Sequence, residues 1–278
     1  MKLTSVEFHP DGSSDVMELS FRDPGRNLPF NVKGIQGLDA DEIVSQFYGA
    51  PGTVSFFNMV MVKRTVVALM ELNPDYAASE SPSSLRDRVY KMIASSRKGL
   101  VHLWFKNGET VVATISGYFG KVEAPLFTDT PELQVTINCD EPLLKAPNPV
   151  SIPVIALDPA LTVITDDVST APHGFQFEMS FDAPVASFIM ADPDDDDWEF
   201  TVTPVGGFLI DDVLHYSSEY NNKHLYIVRA GNTIQLADVI QMGSVWPMIY
   251  PGENRFAISS GASMDWDAIT YYPTFWGV

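Results

Sequence analysis

The chain has 278 residues, 45% hydrophobic and 19% charged, enough apolar material for one large or two medium cores and far from a disordered composition. Acidic residues outnumber basic ones 36 to 17, a formal net charge of -19, which argues against a surface that grips a phosphate backbone by counterion release. The single cysteine, Cys139, excludes an intramolecular disulfide and a cysteine-based zinc cluster. The first residues lack the apolar run of a secretory signal. The most apolar stretch, Val54 to Val62, is interrupted by Asn58 and closed by Lys63-Arg64, far short of the roughly 20 residues of a membrane helix.

In chain order, β-rich runs predict strands at Lys2 to His9, Val54 to Phe57 and Thr65 to Glu71. Ser84-Leu-Arg-Asp87 reads as a capping box opening a helix. Leu85, Val89 and Met92 or Ile93 form its apolar stripe, and Arg97-Lys98-Gly99 supplies positive charge and a stop. Leu100 to Phe105 and Thr110 to Ile115 then form a hairpin around Asn107-Gly108, a pair suited to a type I′ turn. Strands follow at Gly117 to Val122 and at Glu132 to Cys139, where Leu133, Val135 and Ile137 alternate inward. This part reads as a compact β-barrel or sandwich crossed by one helix.

Pro142, Pro147, Pro149, Pro153 and Pro159 make continuous helix or central strand improbable, and place a domain boundary near residue 150. The charge divides there too. Residues 1–150 carry 14 basic and 18 acidic side chains (-4), and residues 151–278 carry 3 and 18 (-15). Short strands at intervals of about 8–12 residues predict an antiparallel sandwich for the second part. They fall at Thr162 to Thr165, Gly174 to Phe181, Ala186 to Met190, Trp198 to Thr203, Phe208 to Ile210, Val213 to Tyr216, His224 to Val228 and Asn254 to Ser259. Thr233 to Gln241 suits a short helix.

Chemistry is thinly signalled. Asp192, Asp194 and Asp196 could offer oxygens to calcium. An EF-hand is excluded, because position six from Asp192 is Asp197 rather than glycine and position twelve is Thr203 rather than glutamate. A solvated acidic loop is the plainer reading. His215 and His224 could face each other across a hairpin with Glu219 as a third zinc ligand, but so long a loop does not fix their register, and paired strand-end histidines are the default. His9, His102 and His173 are isolated in sequence. Gly261-Ala-Ser-Met-Asp265 lacks the closing glycine of a nucleophile elbow and reads as a turn. No phosphate loop, dinucleotide fingerprint or His-Glu-x-x-His is present, and nothing nominates a glycosidase carboxylate pair. No catalytic residue and no cofactor is therefore assigned. Trp246, Tyr250, Phe256, Trp266, Tyr271, Tyr272, Phe275 and Trp276 crowd the last 33 positions. Such an end is expected to dock on its own domain, on the first domain or on a neighbouring subunit.

The order of these features resembles a known family. The Ser84-Leu-Arg-Asp-Arg-Val-Tyr90 helix, the Gly99 stop, the Asn107-Gly108 hairpin, Gly117-Tyr118 to Phe127 and Leu133 to Asp140 are similar to the first domain of the distal tail proteins (Dit) of long-tailed bacteriophages. Gly207 to Val213, the Pro251-Gly252-Glu253-Asn254 turn with its strand, and the terminal Tyr272 to Val278 resemble the rest of the family. The resemblance implies a non-enzymatic virion protein, made in the host cytoplasm and placed at the tail tip. Its first domains, here residues 1–150, would form a hexameric ring joining the tail-tube protein to the tail-tip or baseplate hub, with DNA only in transit through the lumen and no membrane partner. Tape-measure and receptor-binding proteins would be further partners. The second domain, residues 151–278, would be a galectin-like sandwich outside the ring, and the segment at about 270–278 could pack back on the first domain. Two other readings stand beside it. One is a carbohydrate-binding adhesin using Trp198 or Trp246, although the second part has only Lys223, Arg229 and Arg255 as cations. The other is a glycan-cleaving enzyme.

Overall fold

The computed structural model describes residues 3–21, 28–38, 43–48, 56–61, 64–124, 131–139, 141–153, 162–193, 195–220, 222–259, 264–266 and 268–277. The chain forms two compact units: residues 1–147 together with 275–278, and residues 148–274.

The first unit contains β1 (Ser5–Pro10), β2 (Met17–Ser20), β3 (Phe30–Gln36), β4 (Ile43–Tyr48), β5 (Phe56–Met61), β6 (Arg64–Leu72), helix α1 (Pro82–Ser95), β7 (Leu100–Asn107), β8 (Thr110–Glu123), β9 (Glu132–Cys139) and the short β10 (Leu144–Lys145). Seven strands close into a barrel in the order β8-β7-β1-β2-β3-β6-β9, with β9 returning to β8. The strands β4 and β5 pair with each other as a separate hairpin. Closure depends on the 14-residue β8, whose Tyr118 pairs with Leu100 of β7 and with Asn138 of β9. The run at Gly117 to Val122 is thus the far half of β8 rather than a strand of its own. Alternation fills the interior: Val6 and Phe8, Val66, Ala68 and Met70, and Leu133, Val135 and Ile137 are almost wholly buried. From α1, Leu85, Val89 and Met92 join that core, and Ile93 is half-buried beside it.

Two local expectations are corrected. The helix begins three residues earlier, with Ser81 as N-cap. Its hydroxyl accepts from the Ser84 amide, the Ser84 hydroxyl lies 2.9 Å from the Ser81 amide, and Pro82 occupies the first helical position, where a missing amide costs nothing. The 107–110 hairpin forms, but Asn107 pairs with Thr110, so Gly108 and Glu109 are the loop residues. Only Gly108 has a left-handed φ, +61°, the II′ arrangement rather than I′.

The second unit is an antiparallel two-sheet sandwich. Its strands are β11 (Val150–Pro153), β12 (Thr162–Asp166), β13 (Gln176–Phe181), β14 (Phe188–Asp192), β15 (Asp195–Val202), β16 (Val213–Ser217), β17 (His224–Arg229), β18 (Asn232–Gln235), β19 (Gly252–Ser259), β20 (Met264–Trp266) and β21 (Ala268–Tyr271). One sheet runs β11-β21-β13-β16-β17-β18 with β20 also against β13, and the other runs β12-β19-β14-β15. Phe177, Met179, Leu214, Tyr216 and Ile227 from the first meet Ile164, Phe188, Met190, Phe200 and Phe256 from the second in one core. The expected helix at 233–241 is instead β18 followed by a single 3₁₀ turn, Ala237–Val239. Thr233 and Ile234 suit a pleated edge, and β17 supplies a partner for their backbone. Phe208 makes only an isolated bridge to Val185, so 208–210 is turn rather than strand. After β21, β22 (Thr274–Phe275) follows, and Phe275 packs against the core of the first unit.

Candidate functional site

The C-terminal segment is held in the first unit by a buried arginine. Arg64, 2% exposed at the start of β6, donates from Nε to the Pro142 carbonyl (2.6 Å), from Nη1 to those of Gly37 (3.0 Å) and Leu38 (2.7 Å), and from Nη2 to that of Trp276 (2.5 Å). Its planar fork suits several fixed acceptors at once. Gly37 can present its carbonyl there because it has no side chain: its φ is +78°, and a Cβ would stand 2.0 Å from the Thr65 carbonyl oxygen.

In the second unit, a buried polar group fixes the chain just before that segment. Asp166 Oδ2 lies 2.8 Å from His173 Nε2, and its Oδ1 accepts from the amides of Val168 and Ser169. His173 stacks on Tyr271 at 4.6 Å, the Ser169 hydroxyl accepts from the Thr274 amide, and the Thr274 hydroxyl donates to the Ala171 carbonyl. Burial pushes the Asp166 carboxyl up, but hydrogen bonds from Ser169, His173 and the Val168 amide outweigh it and hold it below the usual carboxylate range. These polar atoms are occupied in holding backbone. The serine faces aspartate and backbone, which is not the order of a nucleophilic triad.

His215 and His224 lie on one face of the sheet, but they do not meet. Tyr226 stands between them, its ring 4.6 Å from His215 and 5.5 Å from His224. The acid at His215 is Glu178 (2.9 Å), from the adjacent strand β13, whereas Glu219 accepts from Asn222. The zinc constellation is therefore not assembled, and among the described residues no three His, Cys, Asp or Glu side chains could hold a metal. The acidic run joins β14 to β15: Asp192 pairs with Asp195, and the register then shifts, with Ala191 opposite Glu199, so the run is the irregular end of a hairpin rather than a loop throughout. Asp194 lies outside the described residues, as does Gly261 to Ser263, and Asp196 is described only as a residue of β15.

The Pro251 to Asn254 segment is a structural turn. The Asn254 amide oxygen accepts from the Tyr250 amide (2.7 Å), and its nitrogen donates to the Tyr250 (2.7 Å) and Gly252 (3.0 Å) carbonyls. Trp246 stacks on Tyr216 at 5.5 Å with Lys223 over its ring, Arg255 pairs with Glu253, and Arg229 holds Asp212 in a fork (2.9 and 2.6 Å). Each cation of this acidic unit thus has an internal contact.

Two exposed features of the first unit remain. On the outer wall, Trp104 stacks on His9 at 4.0 Å, Glu7 joins His9 (3.0 Å) to Lys106 (2.8 Å), and Tyr118 stands on the same face. Burial raises the Glu7 pKa, but the Lys106 and His9 hydrogen bonds prevail and hold it below its ordinary value. Elsewhere, a groove of about 440 Å³ runs between α1 and the β1–β2 turn.

A closed seven-stranded barrel with one helix, joined to a two-sheet antiparallel sandwich, defines a mainly β protein of two units. No protein-family profile matches the chain, and no curated protein matches it. Solved structures do match. The SPP1 Dit protein (gp 19.1), described as a paradigm of the hub adsorption apparatus in phages infecting Gram-positive hosts, is similar with a TM-score of 0.60 at 13% identity, over 97% of this chain and 99% of that one. Chains from the phage P2 baseplate in its activated conformation, with calcium and with strontium, align at TM-scores of 0.41 and 0.39 and identities of 9% and 10%, over 96% of this chain and 97% of theirs. The chain has the fold of the SPP1 Dit protein from end to end.

Proposed function

We propose that the chain is a structural component of a phage tail hub, a distal tail protein whose first units assemble into a hexameric ring between tail tube and tail tip, with DNA passing through the lumen. The observation that carries the reading is the end-to-end fold likeness to SPP1 Dit, which spans both units. A ring closes through heterologous contacts, so two different patches of the first unit meet. The Trp104, His9 and Tyr118 wall is one of them, since it presents large aromatics beside satisfied charges.

The second unit is the galectin-like outer domain of this scheme. Residues 148–150 and 275–278 carry no charge, so the division at -4 and -15 holds for the two units as they fold. Six acidic outer units repel one another, while the nearly balanced first units pack. The location that follows is the virion tail, with the tail-tube, hub, tape-measure and receptor-binding proteins as partners. Size-exclusion chromatography with light scattering, followed by negative-stain microscopy, tests the proposal. Open-centred rings of six support it, and monomers at all salt and protein concentrations refute it.

A further inference from the structure

The described cations of the first unit are not spread evenly. Lys33, Lys106, Lys121 and Lys145 each pair with a carboxylate, to Glu132, Glu7, Glu123 and Glu141 respectively, and Arg64 is spent on backbone carbonyls. Arg86, Arg88, Lys91 and Lys98, all on α1 or just after it, have no carboxylate partner among the described residues. In a chain of net charge -19, such a cluster of cations with no carboxylate partner among the described residues is not a by-product of composition.

Of these, Arg88 and Lys91 border a groove, whereas Arg86, two residues before Arg88, lies on another face of the helix. Ser84, Arg88 and Lys91 form its helix wall, at the i, i+4, i+7 spacing that puts them on one face of α1. The opposite wall is the β1–β2 turn, with Ser14, Asp15 and Val16, so two cations outnumber one carboxylate across the groove, and Met17, Phe30 and Met92 line it from beneath. Here the barrel has its narrowest seam, a single parallel pair, Ser20 with Asn31. Arg88 lies 5.7 Å over the Phe30 ring, and Val16 is 44% exposed at the rim. At about 440 Å³ the groove falls within the usual range of ligand sites, roughly 300–1,000 Å³.

We propose that this groove is the docking site of an acidic segment of a partner protein, seated with one apolar side chain on the Met17, Phe30 and Met92 floor and its carboxylates against Arg88 and Lys91. Charge complementarity selects the sign of the partner. The apolar floor favours a peptide, whose single side chain reaches it while neighbouring carboxylates stay at the rim, and the strongly acidic chain repels a polyphosphate. The proposal stands on the groove alone and does not need the ring.

The test uses the intact chain with [methyl-¹³C]methionine and three probes: a short peptide of aspartate and glutamate around one phenylalanine, the same peptide with serine for phenylalanine, and a single-stranded oligothymidine. The first peptide shifts the Met17 and Met92 methyl signals saturably and leaves those of Met179 and Met190, buried in the second unit, in place. Its affinity falls about tenfold with serine at the anchor, and about tenfold in the Arg88→Glu/Lys91→Glu chain. Lys121→Glu has no effect. Both charged positions are exposed, and an unchanged thermal transition confirms that the variants fold. The proposal is overturned by absent shifts, by binding that survives the charge reversal or the serine anchor, or by oligothymidine moving the same two methyls as strongly as the acidic peptide. None of these outcomes bears on whether rings form, so this proposal and the hub reading fail separately.

Discussion

Replacing Arg64 tests how the C-terminal segment is held. Its guanidinium donates to four backbone carbonyls, those of Gly37, Leu38, Pro142 and Trp276, from a position 2% exposed to solvent. A hydrogen bond from a charged donor contributes about 1.5–3 kcal/mol, and stranding buried acceptors adds a desolvation cost. The four share one side chain and do not add, so Arg64→Ala is expected to cost about 3–5 kcal/mol, the range for breaking a buried charged network. At roughly 2–4 °C per kcal/mol for domains of this size, the transition of the first unit falls by about 6–20 °C in calorimetry. That of the second unit stays in place. Arg64→Lys keeps the charge but lacks the fork, and should fall in between. A loss below about 1 kcal/mol for Arg64→Ala, or equal movement of both transitions, would refute the reasoning.

Residues 1–147 without 275–278 should melt below the same residues carrying that segment on a flexible tether, because Trp276 and Phe275 then leave the Arg64 carbonyl set and the core unfilled; equal melting temperatures count against it. Asn254→Ala should cost the second unit about 1–3 kcal/mol by freeing the Tyr250 amide and carbonyl, read by urea unfolding. Because the folded Asp166 pKa lies below its ordinary 3.8, its stabilisation is complete above that value and is lost as pH falls through the folded pKa. The second unit of Asp166→Asn should therefore be less stable at neutral pH and lose less between about pH 5 and pH 2, and parallel pH profiles would contradict this. If the outer wall is a ring contact, Trp104→Ala should shift light scattering from six-fold assemblies toward smaller species, at about 2 kcal/mol per contact for an aromatic anchor, with the monomer still folded; intact rings would remove that wall from the interface.

Local signals in the sequence suffice where neighbouring residues decide the conformation. The stripe of Leu85, Val89 and Met92 buries as a helix, and Leu133, Val135 and Ile137 alternate into the barrel, because period and side-chain volume are properties of a short segment. The helix start was legible too, in Ser81-Pro82 followed by Ser84, but Ser84 with Asp87 three residues on makes a second capping-box pattern, and only the fold selects the earlier one. The hairpin turn slipped by one residue because a bulge after Phe105 changes the pairing, and a bulge answers to the twist of the whole sheet.

Periodicity and composition are enough to set a mainly β chain with one helix and a second part far more acidic than the first. It takes the tertiary fold to make β8 one long strand closing a barrel, to set Glu178 rather than Glu219 against His215, and to let Arg64 gather the carbonyls of residues 26 to 212 positions away. The reason is physical: periodicity and charge are counted along the chain, whereas a strand's second partner and a buried cation's acceptors are chosen by a closure that no local segment contains.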